Sequence, residues 1–217
     1  MIPETTKRER EIRDGFAHLH QADPVLAGLI DRRPDYDPDA WLAELPVMSL
    51  FGCVVYQIIG QQISVKAAGA IVGRLTATFG AEMPRPEQLL TLDEQSLRDI
   101  GLSWRKARTV LDLSARFVDG RLSERTLSEL ADDEIVEALT EVPGIGPWTV
   151  HGALLIVLRR ADVVPVGDVS LRNNMKKYYE LDHVPTEKEA IDIAEPWHPF
   201  GSLGANLLFA AGELDKQ

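Results

Sequence analysis

The feature that most constrains this chain is a proline- and glycine-rich turn, Pro143-Gly144-Ile145-Gly146-Pro147, between two helical runs. Residues 132–140 before the turn and 147–159 after it carry the apolar spacing and the end signals of helices. Pro147 suits the first position of the second helix, where its missing N–H costs nothing. The sequence therefore predicts two helices joined by a tight hairpin.

Helical patterns also cover most of the remaining chain, and no segment sustains the alternation of a strand. Further helices are predicted over residues 5–22, 39–45, 50–59, 64–79, 91 or 93 to 101, 103–118, 124–130, 169–180, 186–194 and 201–213. The connections have the short lengths found between packed helices. The prediction is an all-α fold.

The charge of the chain is unevenly distributed. The net charge of −11 argues against binding to a polyanion when it is taken globally. Residues 49–78 carry two basic residues and no acidic one, and residues 101–121 and 142–178 each carry five basic against two acidic residues. Because the Debye length in physiological salt is about 8 Å, local charge matters more than the total. An anionic partner at these three stretches is compatible with the sequence.

Several classes of protein and of site are excluded by composition. Cys53, the single cysteine, has apolar neighbours and is predicted to be a buried core thiol, and it excludes an internal disulfide and a four-cysteine iron–sulfur site. The five histidines have no metal-binding spacing, and no apolar run could span a bilayer. The charged N-terminus is not that of a secretory signal. We expect a cytoplasmic protein, associated with the nucleoid if bacterial.

The hairpin is a candidate phosphate site. Amides of Gly144 and Gly146, close to a helix N-terminus, would form a concavity for an anion, and this would hold a nucleic-acid backbone without reading its bases. The carbonyls of Thr140, Val142 and Ile145 could hold a monovalent cation, Na⁺ or K⁺. The alternative is a plain connector between helices, and the two glycines with Pro147 favour the phosphate site.

Asp168 stands twenty positions after Trp148 and opens another predicted helix. An isolated aspartate in this position is most simply an N-cap. A carboxylate at a helix N-terminus also suits a place opposite a developing positive charge, such as a sugar oxocarbenium ion. The residues alone leave both interpretations open.

The segment from Leu139 to Lys176 resembles the helix-hairpin-helix DNA glycosylases, whose hairpin is followed by a Gly/Pro-rich stretch and an aspartate. Within that superfamily (HhH-GPD) it is most similar to the AlkA-type 3-methyladenine DNA glycosylases. The similarity extends to residues 60–68, 101–107 and 197–202. These motifs follow one another in the family's order, which makes the resemblance specific.

The resemblance implies a two-lobed all-α fold with the active site between the lobes, and it implies roles for individual residues. Asp168 falls on the catalytic aspartate. Gln62, with Ile63, falls on the wedge that fills the gap left by a flipped nucleotide. Trp148 and Phe209 fall on aromatic walls of the base pocket.

At some positions this chain has a different residue from other family members, and at others the resemblance implies contacts with DNA phosphates. Lyase members place a Schiff-base lysine where this chain has Trp148, so the resemblance implies a monofunctional enzyme that requires no cofactor. Gly152 stands where some members have a pocket tyrosine, which predicts a wider pocket, and Gly201 stands where an arginine is common. The residues expected to contact DNA phosphates are Gly144, Gly146, Thr149, Lys106 and Arg172.

The implied organisation has four segments. Residues 1–45 are expected to form helices that share a lobe with the C-terminus, 46–130 the lobe with the wedge, 131–180 the helix-hairpin-helix and the catalytic aspartate, and 181–217 helices that pack back on the N-terminal part.

The implied function is base excision repair by a monomer acting on double-stranded DNA. The reaction is hydrolysis of the N-glycosidic bond of alkylated purines after base flipping, with 3-methyladenine first and 7-methylguanine, etheno and deaminated purines as further candidates. One alternative is a non-catalytic helix-hairpin-helix protein that binds damaged DNA, which the acidic total favours. Another is a bifunctional glycosylase/lyase, against which Trp148 argues.

Overall fold

The computed structural model describes residues 6–214, apart from the side chain of Leu214, and within that range all regular structure is helical. The helices are α1 (Lys7–Ala22), α2 (Pro24–Asp31), α3 (Leu50–Gly60), α4 (Val65–Thr78), α5 (Pro86–Leu89), α6 (Glu94–Ile100), α7 (Trp104–Val118), α8 (Glu124–Glu129), α9 (Asp132–Thr140), α10 (Pro147–Ile156), α11 (Val169–Tyr178), α12 (Glu187–Ala194) and α13 (Gly201–Leu214). The predicted all-α fold is confirmed. No helix in the described range is long and apolar enough to cross a membrane.

Side-chain caps fix where several of these helices begin. The Ser64 hydroxyl accepts a hydrogen bond from the amide of Ala67, and the Ser103 hydroxyl accepts one from Lys106, both at 3.2 Å. Gly101 ends α6 in a left-handed conformation with φ of 119°. These three positions are the helix ends that the sequence predicted, because caps are local signals.

Other boundaries differ from the prediction. The helix α2, which begins directly after the extended residue Asp23, was not predicted from the sequence. The helix predicted over residues 39–45 is a 3₁₀ turn, Ala40–Glu44. The helix predicted to reach residue 159 ends at Ile156, and Arg159 has a φ of 54° that a right-handed helix cannot contain.

The chain divides into two compact units, Leu45–Arg159 and Met1–Glu44 with Arg160–Gln217. This division differs from the predicted segment 131–180, because the hairpin belongs to the first unit and Asp168 to the second. The cause is packing. The hairpin helix α10 packs against α3 and α9, whereas α11 packs against α13 and α12.

In the Leu45–Arg159 unit the central element is α3, against which α4, α7 and α10 pack. Its residues from Leu50 to Val55 are all buried, as are Ile58 and Ile59. A helix that is apolar on nearly every side is stable only in the middle of a core. Cys53 lies within this helix, and burial raises the pKa of its thiol to about 12, which confirms the predicted core thiol.

In the other unit, the buried carboxylate of Asp23, between α1 and α2, accepts hydrogen bonds from three separate segments. One oxygen of Asp23 accepts from the amides that begin α2, and the other accepts from Trp197 Nε1 at 2.8 Å and from the Tyr179 hydroxyl at 2.5 Å. Burial and the Asp23 hydrogen bond raise the pKa of Tyr179. A buried charge is tolerated only when it is hydrogen-bonded in this way.

The Asp23 network gives the first prediction. Asp23→Ala removes a helix cap and leaves the Trp197 and Tyr179 donors without an acceptor, so the free energy of unfolding should fall by about 2–5 kcal/mol. Ser123→Ala is the control, because it removes the N-cap of α8 and one exposed hydroxyl contact with Thr126, and should cost about 1 kcal/mol. Urea denaturation measures both losses. Equal losses in the two variants would contradict a structural role for the network.

Candidate functional site

The hairpin at residues 141–146 joins α9 to α10. The Val142 amide donates to the Leu139 carbonyl at 3.2 Å, and the Ile145 amide donates to the Val142 carbonyl at 3.0 Å. Gly144 has a φ of 100°, which residues other than glycine rarely adopt. The predicted helix-hairpin-helix is therefore present, with its turn closed by backbone hydrogen bonds.

Two side chains from neighbouring helices hold the hairpin. The Thr109 hydroxyl in α7 donates to the Pro143 carbonyl at 2.8 Å. Gln61, the residue that ends α3, donates through Nε2 to the Gly144 carbonyl at 3.1 Å and to the Thr149 hydroxyl at 2.9 Å. A Cβ on Gly144 would overlap the Thr109 side chain. The turn is therefore fitted to its neighbours and requires glycine at position 144.

The hairpin amides meet the requirements of an anion site in part. Within residues 6–214, the amides of Gly144 and Gly146 donate no hydrogen bond to the protein. Gly146 is the N-cap of α10, with Pro147 following it. The Thr149 amide donates to the Gly146 carbonyl at 3.0 Å, and its side chain is buried against Gln61. The Thr149 amide is therefore engaged and its hydroxyl is buried, whereas the two glycine amides are available.

The carbonyls proposed for a cation lie at the end of α9 and in the hairpin. The Val142 oxygen already accepts the Ile145 amide and keeps a second lone pair. The Thr140 hydroxyl donates back to the Val136 carbonyl at 2.7 Å, so it does not occupy any of the three carbonyl oxygens proposed for the cation. Carbonyl oxygens suit a monovalent cation, so the donor chemistry fits Na⁺ or K⁺. Among the described residues there is no cluster of His, Cys, Asp or Glu that could bind a metal ion.

The wedge loop, residues 61–63, lies between α3 and α4. Gln62 is exposed and has a φ of 57°, a left-handed conformation that is unfavourable for a residue with a side chain. Ile63 is 39% exposed. Both side chains of the predicted wedge are therefore presented to solvent by a strained turn.

Lys106 is used differently from the prediction. Its ammonium donates to the carbonyls of Ile59 at 2.9 Å and Gln61 at 2.7 Å, and so caps the C-terminus of α3. Partial burial lowers the pKa of this ammonium. The side chain expected to contact a phosphate thus supports the wedge loop.

Three of the five basic residues in the stretch 101–121 form ion pairs. Those pairs join Arg108 to Glu94 at 3.0 Å, Arg116 to Asp112 at 3.2 Å and Arg121 to Asp119 at 2.7 Å. Two other cations, Lys66 and Arg105, are exposed and form no ion pair in the described part of the chain. They lie in the first turns of α4 and α7. Neither was predicted as a phosphate contact, although both closely follow capping serines.

A side chain of α3 covers the face of α10 that carries Trp148. Trp148 is half-buried in the first turn of α10, and Gly152 lies one turn later on the same face. A Cβ on Gly152 would come within 2.9 Å of all three terminal atoms of the Gln57 side chain. The wider pocket expected from Gly152 is therefore corrected, because the Gln57 carboxamide occupies the vacated space.

Asp168, in the other unit, is the N-cap of α11. Its Oδ1 accepts from the amides of Ser170 at 2.7 Å and Leu171 at 3.1 Å, and its own amide donates to the Pro165 carbonyl at 2.8 Å. The predicted N-cap is confirmed. Backbone groups on both sides fix the orientation of the carboxylate, which is half-buried.

Three other predicted or noted positions in this unit, Arg172, Phe209 and Gly201, contact neighbouring residues of the protein. Arg172 is half-buried, donates through Nη1 to the Pro185 carbonyl at 3.2 Å, and so holds the connection before α12, while its buried Nε has no partner among the described residues. Phe209 is half-buried and packs on the apolar core. The Gly201 amide donates to Asp162 at 3.0 Å, and a Cβ there would lie 2.7 Å from Val164 Cγ2 and 2.9 Å from Asp162 Oδ1, so any side chain at position 201 would require these neighbours to shift.

The two hairpin glycines provide a matched test of the turn. Gly144→Ala combines an unfavourable φ with a clash against Thr109 and should lower the free energy of unfolding by about 2–4 kcal/mol. Gly146→Ala meets no atom within 4 Å, has a φ of −115°, and should change it by less than about 1 kcal/mol. Urea unfolding of the two variants separates these outcomes. Similar losses would show that the turn does not depend on position 144.

Comparison with known proteins agrees with this geometry. Residues 55–199 match the family model of the HhH-GPD superfamily base excision DNA repair protein. The chain is 33% identical over 171 residues to a putative DNA-3-methyladenine glycosylase, YfjP, of Bacillus subtilis, covering 76% of this chain and 60% of YfjP. It is 30% identical over 163 residues to DNA-3-methyladenine glycosylase 1 of Schizosaccharomyces pombe, covering 74% of this chain and 72% of that protein.

A solved structure is also similar. The 3-methyladenine DNA glycosylase Mag1 of Schizosaccharomyces pombe, in complex with abasic DNA, superimposes with a TM-score of 0.85 at 26% identity, covering 94% of this chain and 98% of that one. The family match spans well over half of the chain and includes the hairpin, the wedge loop and Asp168. This chain belongs to the HhH-GPD superfamily of base excision DNA repair proteins.

Proposed function

We propose that this protein is a monofunctional DNA glycosylase of the AlkA type, which hydrolyses the N-glycosidic bond of alkylated purines, first of all 3-methyladenine, in double-stranded DNA. The observation that carries the proposal is the Asp168 carboxylate, oriented by two backbone amides at the start of α11. Support comes from the Schizosaccharomyces pombe relative, named DNA-3-methyladenine glycosylase 1, and from the Bacillus subtilis relative, named a putative DNA-3-methyladenine glycosylase. The chain spans 60% of the length of the first of them.

Asp168 supplies the electrostatic part of the reaction. When the glycosidic bond breaks, its electron pair leaves with the base and the sugar becomes an oxocarbenium-like cation. A preorganised carboxylate stabilises that charge without reorganising at the moment of reaction. Water then adds to the anomeric carbon and loses a proton, which leaves an abasic site.

Trp148 supplies the binding of the base. An N-alkylated purine carries positive charge, and an indole face attracts a cation. Such a base leaves as a neutral molecule, so no strong general acid is needed. Trp148 has no amine with which to form a Schiff base, so the reaction ends at the abasic site and needs no cofactor. Phe209 is the second aromatic residue that we assign to the base.

The DNA backbone is held at the hairpin and the helix starts. We assign the phosphate contacts to the amides of Gly144 and Gly146 and to the exposed cations Lys66 and Arg105. We add these two cations to the predicted Lys106 and Arg172, each of which also donates to backbone carbonyls of the fold. A Na⁺ or K⁺ ion on the hairpin carbonyls would neutralise charge beside the phosphate. The enzyme would act as a monomer in the cytoplasm, on the nucleoid if bacterial.

Substitution of Asp168 separates catalysis from capping. Asn caps helices as well as Asp does, so Asp168→Asn should keep the thermal stability but lower base release by about 10²–10³-fold. Asp168→Ala should lose the same activity and also about 1 kcal/mol of stability. Free 3-methyladenine released from methylated duplex DNA is the measurement. Tight binding of abasic DNA with no release by the unaltered protein would instead support the non-catalytic alternative.

Substitution of Gln62 tests the wedge, because Gln62 has a strained, left-handed backbone conformation. Gln62→Gly removes the side chain that fills the gap and relieves the φ of 57°, so base release should fall about tenfold while the free energy of unfolding stays equal or rises by up to about 1 kcal/mol. Ala81→Gly is the matched control, because Ala81 is also left-handed, with a φ of 74°, but lies outside the wedge. It should leave base release unchanged. Full activity of Gln62→Gly would exclude the wedge role.

A further inference from the structure

Gln57 is a polar residue in the most apolar helix of the protein. Its neighbours Ile58 and Ile59 are fully buried in the core, whereas Gln57 is half-buried and faces α10. Its carboxamide lies over Gly152, so close that a side chain at position 152 would have to displace it. The absence of a side chain at position 152 is therefore what admits the carboxamide.

The carboxamide of Gln57 has unused hydrogen-bonding capacity. It forms no hydrogen bond with any residue in the range 6–214. Gln61, one turn later, differs, because its amide donates to the Gly144 carbonyl and the Thr149 hydroxyl. Because Gln57 is half-buried and its polar atoms are not sealed in the core, its donor and its acceptor are available to a ligand.

The Gln57 carboxamide lies near Trp148, the aromatic residue on which we propose that the base stacks. Trp148 and Gly152 are separated by four residues in α10 and therefore share one face. Gln57 covers that face one helical turn from Trp148. The carboxamide therefore lies next to the residue on which we propose that the base stacks.

We propose that Gln57 determines specificity by hydrogen bonding to the edge of the flipped base, and that it favours alkylated adenine over N7-alkylated guanine. A carboxamide pairs with adenine through two hydrogen bonds, accepting from the N6 amino group and donating to N7. In 7-methylguanine the methyl group occupies N7, which leaves only O6 as an acceptor on that edge. This inference rests on the proposed glycosylase activity.

The first test compares two lesions in one reaction. DNA treated with dimethyl sulfate carries both 3-methyladenine and 7-methylguanine, so a single incubation reports both release rates. Gln57→Ala should lower the ratio of 3-methyladenine to 7-methylguanine release about tenfold, the effect expected for one bidentate contact. Thermal unfolding should show that the variant is folded. A merely structural role would lower both rates by the same factor and leave the ratio unchanged.

The second test moves the carboxamide without altering it. Gly152→Ala should displace the flexible end of Gln57 and lower the same ratio. When it is added to Gln57→Ala, it should cause no further change, because the contact is already lost. Gly73→Ala is the matched control, since Gly73 is a glycine in α4 at which an added methyl group would meet no atom within 4 Å, and it should leave the ratio unaltered.

The outcomes distinguish the two proposals. No base release by the unaltered protein would overturn the proposed function. Base release with an unchanged ratio in Gln57→Ala would overturn the specificity role while the glycosylase activity stands. The specificity role would be established if the ratio of 3-methyladenine to 7-methylguanine release fell in Gln57→Ala and in Gly152→Ala. The double variant should then show no larger fall than Gln57→Ala alone.

Discussion

The carboxyl end of α3 is the point on which the rest of the Leu45–Arg159 unit depends. Lys106 neutralises this end by donating to the carbonyls of Ile59 and Gln61, and the Gln61 side chain reaches the hairpin at Gly144. A helix C-terminus carries unsatisfied carbonyls and partial negative charge, which an ammonium offsets. One cluster of hydrogen bonds thus joins the wedge loop, α7 and the helix-hairpin-helix.

This arrangement explains how the unit maintains two unfavourable backbone conformations. Gly144 is left-handed beneath Thr109, and Gln62 is left-handed beside the capped end of α3. Strain of this kind persists only where surrounding contacts determine the conformation. Here those contacts are Gln61 for the hairpin and Lys106 for the wedge loop. The elements that we assign to DNA are thereby held rigid before DNA binds, which lowers the entropic cost of binding.

Sequence and structure differ where a side chain has a distant partner. Lys106, Thr149 and Arg172 have the chemistry of phosphate ligands, yet each is used to hold the backbone or another side chain. Glycine at position 152 suggested open space, and Gln57, almost a hundred residues earlier, fills it. Neither result could be predicted from the local spacing of residues in the sequence, because contacts between distant segments depend on how the helices pack.

The sequence by itself determined the all-α fold, the helix-hairpin-helix, the caps at Ser64, Ser103 and Asp168, and the superfamily. These depend on local propensities and on motifs that are contiguous in the chain. Only the tertiary structure decided which cations are left exposed, which glycine is sterically required, and what lies opposite Gly152. Those properties arise from close packing between α3, α7 and α10, where each side chain competes with its neighbours for space and for hydrogen bonds.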